Sequence, residues 1–323
     1  MSSLPSGSTS RAIPKPLAGR DRQQAWWLVA GLVGVCLLAY FNSLRLVASS
    51  WGNPQYSHGF LVPLGTLALL WMKRKPFCQV ASWERWLGVA LLLLATLMRV
   101  VSAYLTRFTP DFVSLLPCLL GVFLLVGGVR SLRWAALPIL FLVFMFPWPD
   151  SLERLILANL KSRIAMPASL FALQTLGVES YLSGDVIELG DGTRMNVVDA
   201  CAGLDMLNIF RALAAGFAMV VTWRPAWERV VLFISAVPIA LAANVLRITV
   251  EGLIFYYGTR LLSPETLTTV ANAFHDHLSS WFMMGVALSL LYGEYQLLTR
   301  LFIEEDSHDS IRRHLNVSAE AGR

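Results

Sequence analysis

The strongest constraint on this chain is a series of long apolar runs, the first from about Trp26 to Leu46. A stretch of about 20 apolar residues matches the thickness of a bilayer's hydrocarbon core. In lipid every backbone amide must be paired within the protein, so such runs cross as helices. Eight runs are predicted to span: 26–46, 59–73, 86–105, 111–129, 132–147, 201–222, 227–257 and 278–302. The second is short, and tilting, re-entry or extension by its flanks would each accommodate it. The expected fold class is an all-α integral membrane protein of about eight transmembrane helices. With 56% hydrophobic and only 15% charged residues, one membrane domain over 26–302 accounts for nearly all of the 323 residues. Polar tails, 1–25 and 303–323, flank it. The first tail has no hydrophobic core, so it reads as a tail rather than a cleavable signal peptide, with the first run serving as an uncleaved anchor.

Basic residues orient the bundle, because short cytoplasmic loops are rich in Lys and Arg. Arg11, Lys15, Arg20 and Arg22 precede the first span; Lys73, Arg74, Lys75 and Arg85 follow the second; Arg130 and Arg133 follow the fourth. Arg224 and Arg229 continue the alternation, and Arg300, Arg312 and Arg313 close it, which puts both termini inside. Arg107 and Arg260 are the exceptions on the outer side. The net charge of +5 is spread over these loops rather than over one face, so it signals topology and membrane lipid, not nucleic acid.

One long connection, 147–200, lies on the expected outer side. Leu152, Leu155, Ile156, Leu160, Ile164 and Leu170 recur near helical spacing between Glu153, Arg154, Lys161 and Arg163, which predicts an amphipathic helix over 151–176 on the membrane surface. The runs 185–189 and 193–198 around Gly190-Asp-Gly192 predict a small β-hairpin that ends just before Cys201.

Cys36, Cys78, Cys118 and Cys201 show no metal-ligand or disulfide-framework spacing, and the first three read as structural. Cys201 differs, because it stands where an extended segment meets a hydrophobic helix. The positive end of a helix dipole lowers a thiol pKa and raises the thiolate fraction. Gly203 leaves room there for a substrate backbone. Arg247 lies inside an apolar run, where an arginine costs at least ~2.5 kcal/mol and tends to face a cavity or partner. It stands about 30 Å of helix beyond Arg224 to Arg229, near the outer face. His275 and His277 precede the last span on the same side, where a histidine can exchange protons near neutral pH. Nucleophile, fixed cation and proton carrier together suffice for acyl transfer from a peptide.

The motifs Tyr56-Ser-His-Gly-Phe-Leu-Val-Pro63, Pro147-Trp-Pro149, Ala200-Cys-Ala-Gly-Leu204, Ala243-Asn-Val-Leu-Arg-Ile248 and Phe274-His-Asp276 occur in this order. With them the chain resembles the exosortase family and its archaeosortase relatives from about Trp51 to Arg300. The resemblance implies a membrane cysteine transpeptidase that cleaves a C-terminal sorting signal: a short motif such as Pro-Glu-Pro, a hydrophobic helix, then basic residues. It implies Cys201 as nucleophile, Arg247 as oxyanion or thiolate stabiliser and a histidine as acid/base, with His58 and Asn244 in contact with substrate. No metal or organic cofactor is implied. The family's spacing after the histidine, three residues and then Gly and an aromatic, is not reproduced, since Ser279 and Trp281 stand there. His275 is preferred for its Phe-His-Asp context, with His277 the alternative. The implied setting is the inner membrane of a bacterial cell, with the site facing the periplasm, the sorting-signal helix of exported proteins as partner, and a link to exopolysaccharide machinery.

Two other classes compete. A transporter would use Asp205, Asn208, Asn244, Arg247 and Glu251 as a polar path through the bundle. A non-catalytic scaffold for exopolysaccharide assembly would tolerate the loss of Cys201.

Overall fold

The computed structural model describes residues 19–105, 108–184, 186–196, 204–273 and 284–300. They form two compact units, 1–50 with 59–147 and 51–58 with 148–323. Most of both polar tails and Arg107 lie outside the described residues.

In the first unit the chain runs through α1 (Gly19–Ala39), α2 (Phe41–Ser50), α3 (Leu61–Lys73), α4 (Ser82–Leu105), α5 (Phe108–Val113) and α6 (Leu115–Phe141). Among the described residues, four helical segments are long and apolar enough to cross a membrane: Gly19–Ala39, Ser82–Leu105, Thr109–Met145 and Ala226–Leu261. The third contains a reversal. Gly128 has φ 64° and ψ −169°, outside the helical region. The rings of Phe123 and Trp134 meet edge to face at 5.5 Å, although 11 residues of straight helix would hold them about 16 Å apart. The Ser131 hydroxyl likewise donates to the Phe123 carbonyl at 2.5 Å. The segment is therefore a helical hairpin, with its turn where the charge pattern puts a boundary between two spans.

Glu84 holds that turn by accepting from the backbone N–H of Val129 at 3.3 Å and of Ala81 at 3.1 Å. A Cβ on Gly128 would meet the Glu84 carboxylate at 2.5 Å. That backbone region is essentially confined to glycine, so Gly128→Ala is expected to cost about 2 kcal/mol. A lower melting temperature in detergent would register it, and an unchanged one would refute the reversal. On the neighbouring contact, a Cβ on Gly88 of α4 would lie 2.9 Å from the Leu125 backbone nitrogen, and one on Gly121 of α6 3.0 Å from the Gly88 carbonyl. Small residues permit such backbone contact, and dispersion across it holds helices together where lipid offers no hydrophobic drive.

The other end of this unit is tied by polar side chains. Arg99 Nε donates to Asp111 Oδ1 at 2.9 Å, Ser43 donates to Asp111 Oδ2, and the Arg99 guanidinium lies 4.1 Å from the Tyr40 ring centre. Removing one partner strands the other charge. Asp111→Leu is expected to cost about 1 kcal/mol, with most of it restored by Arg99→Met in the same chain. Melting of the single and double variants checks this, and strict additivity would show that the pair contributes nothing.

In the second unit α7 (Asp150–Leu160), a π-helical turn (Lys161–Ala165) and α8 (Met166–Thr175) form the predicted helix with an altered face. The wide turn shifts the 3.6-residue register. Ala165, Met166, Ser169 and Leu173 are consequently buried, while Leu152, Leu155 and Ile164 stay exposed. The predicted hairpin is present as β2 (Val186–Leu189) and β3 (Arg194–Asn196), and β1 (Ser180–Ser183) adds an unforeseen third antiparallel strand. In register, Ile187 faces Met195 and Ser180 faces Leu189.

The unit is completed by α9 (Leu204–Val220), α10 (Ala226–Leu261), α11 (Pro264–Ala273) and a helix over 284–300, here α12. At 36 residues, α10 is about 54 Å long and exceeds the hydrocarbon core of a bilayer by roughly 24 Å. Its far end carries the sheet: Ile187, Leu189 and Met195 pack with Leu173 and Ile248. At the hairpin tip the Asp191 carboxylate accepts from Thr193 N–H at 2.9 Å and from the Thr259 hydroxyl, in the last turn of α10, at 2.8 Å. Slight burial would push the Asp191 carboxyl up, but these hydrogen bonds outweigh it and hold it below the usual range, so the tether is intact at neutral pH.

The expected eight spans are thus not reproduced as eight. The helix α3 has 13 residues and the apolar part of α9 is Leu207–Val220, both short of the ~20 that a perpendicular crossing needs. The first helix runs 19–39 and breaks at Tyr40 instead of continuing to 46. Part of the last expected span, 278–283, lies outside the described residues.

Candidate active site

Arg247 and Asn244 are three residues apart on α10 and therefore share a face. Both are buried, at 3% and 0% exposure. A charge so deeply enclosed within an apolar helix is costly to place and therefore restricted in use. The pair sits between two packed clusters on the same helix. Before it, Ala236, Ala240 and Ala243 pack with Leu207, Phe210 and Ala214 of α9 and with Ala287 of α12. After it, Ile248 packs with the sheet and α8.

Cys201, His275 and His277 lie outside the described residues. Their flanks are defined. Residues 197–203, which carry Cys201, join β3, whose Met195 lies in one cluster, to α9, whose Leu207 lies in the other. Residues 274–283, which carry both histidines, lead into Met284, which packs on the cluster shared by α9 and α10. The helix α12 is held to α10 by the Ser235 hydroxyl donating to Glu294 at 2.5 Å, and to the turn before α10 by Arg224 donating to Thr299 at 2.5 Å.

His58 is half-buried in a 3-10 segment, Pro54–Phe60, next to the buried Tyr56. The Tyr56 hydroxyl accepts from the Trp148 backbone N–H at 3.4 Å. The Trp148 ring in turn lies 4.3 Å from the Arg211 guanidinium, and Arg211 Nη2 donates to Asn208 Oδ1 at 2.7 Å. Tyr56, Trp148, Asn208 and Arg211 therefore form one continuous polar and aromatic chain.

Arg211 was not singled out from the sequence, though it carries the same signal as Arg247: an arginine inside an expected span, 201–222. Of the polar path considered for a transporter, Asn208, Asn244 and Arg247 are buried and Glu251 is half-buried, while the Asp205 side chain lies outside those described. Among the described residues no three His, Cys, Asp or Glu side chains converge as metal ligands would.

No curated protein and no solved structure matches the chain. The model of the transmembrane exosortase family matches residues 51–293, which include His58, Cys201, Asn244, Arg247, His275 and His277 and all the motifs that carried the resemblance. The chain belongs to the transmembrane exosortase family.

Proposed function

We propose that this protein is a cysteine peptidase or transpeptidase of the exosortase type, which cleaves C-terminal sorting signals of exported proteins through a thioacyl intermediate. In this mechanism the Cys201 thiolate attacks the carbonyl of the scissile peptide. Arg247 holds the oxyanion as the tetrahedral intermediate forms, and His275, or His277 in its place, protonates the departing amine. The thioester is then resolved by an incoming amine or by water. The chemistry needs no metal or organic cofactor.

The observation that carries the proposal is the burial of Asn244 and Arg247 on α10, between the two clusters where the Cys201 segment begins and ends. A guanidinium in a site of low dielectric stabilises developing negative charge far more than one in water. The sheet and α8 that precede Cys201 offer strand edges to an extended sorting motif, and exposed Leu152 and Leu155 suit the headgroup boundary. His58 and Asn244 contact the bound peptide. The protein sits in the inner membrane of a bacterial cell with both termini cytoplasmic and the site facing out, and it works alongside exopolysaccharide assembly.

Co-expression with an exported protein bearing its cognate Pro-Glu-Pro motif, hydrophobic helix and basic tail tests this. The substrate is expected to shorten, with a new C-terminus near the motif by mass. A substrate that keeps its full length would count against the proposal.

A further inference from the structure

We propose that Cys36 and Cys118 are joined by a disulfide that braces α1 against α6. The two thiol sulfurs lie 3.2 Å apart, on helices separated by 82 positions in sequence. The bond itself is about 2.05 Å long, so closure asks the sulfurs to approach by about 1.1 Å. One turn away the same two helices meet again, where the Tyr40 hydroxyl and the Ser114 hydroxyl are 2.7 Å apart. Tyr40 N–H bonds the Cys36 carbonyl, and Cys118 N–H bonds the Ser114 carbonyl. The contacts are thus successive rungs of one helix pair, and the tyrosine rung keeps the two cysteines in register.

Placement decides the redox state. Cys36 lies near the end of α1, beside the Arg99 and Asp111 pair, at the end that the basic-loop pattern directs outward. That side of a bacterial inner membrane is oxidising, and disulfides form and persist there. Cys78 lies at the opposite end of the unit, beside the basic inner loop, and accepts from Arg130 Nη1 at 3.2 Å.

The oxidant is a protein disulfide donor of the outer compartment, and the exchange balances as two thiol attacks. Cys36 enters the membrane first and forms a mixed disulfide with the donor, which frees one donor thiol. When α6 packs, Cys118 attacks the Cys36 sulfur and the second donor thiol departs. Two protons and two electrons pass to the donor, which leaves as a dithiol. The bond consumes the two thiols nearest that surface in the first unit.

Thiol counting tests this without any activity assay. Cells are quenched in acid to freeze the thiol state, and the denatured chain is alkylated with a maleimide polymer before and after reduction. Of the four cysteines, two are expected to react before reduction and all four after it. The unreduced digest is expected to contain the Cys36 peptide linked to the Cys118 peptide. Four additions without reduction would overturn the proposal, as would a linked pair that includes Cys78 or Cys201.

Discussion

Replacing Cys201 with Ala is expected to abolish substrate shortening, a fall of roughly 10⁶-fold of the kind seen when a covalent nucleophile is removed. The argument is chemical. A thioacyl route has no first step without the thiolate, and water held in the same place is a far weaker nucleophile. The variant should insert into the membrane in wild-type amount, because the change removes a single sulfur and keeps the Cβ. Immunoblots of enzyme and substrate from the same cells check both points. Shortening that survives in full would remove the cysteine mechanism and leave scaffolding or transport as the role of the fold.

Arg247→Lys is expected to lower the rate by about 10²- to 10³-fold, the size of effect that follows the loss of one oxyanion donor. Lysine keeps the positive charge and most of the apolar stem, so the helix keeps its packing. It loses the planar fork that can donate twice to one oxygen. A titration of substrate level in a reconstituted assay should show the loss in kcat, because the oxyanion is absent from the bound substrate and develops only toward the transition state and tetrahedral intermediate. A loss confined to KM would assign Arg247 to substrate binding instead. A protein that fails to accumulate would mean that the buried guanidinium is structural, and Arg247→Gln would then fail in the same way.

The long apolar runs alone made the membrane class legible, and loop charges marked the turn at Gly128 that merges two spans into one apparent helix. The hairpin at 186–196 was equally legible, from alternating residues around Gly190-Asp-Gly192. The π-helical turn at Lys161–Ala165 was not, and it changed which residues of α7 and α8 are buried. A one-residue widening of a helix leaves no mark in a hydrophobic pattern, since periodicity is read over windows longer than the defect. Arg247 and Asn244 could be read as candidates from their apolar surroundings. Arg211 carried the same mark, and what singles it out is its contact with Trp148, 63 positions away in the chain.

By itself the sequence determined the solvent of this protein, its family motifs and its candidate nucleophile, because those depend on local composition and short spacing. Only the tertiary structure decided which polar groups share one helix face, which cysteines meet, and which stretch of α10 lies between the clusters that the Cys201 link connects. These are contacts between residues far apart in sequence, and they follow from how whole helices pack against one another.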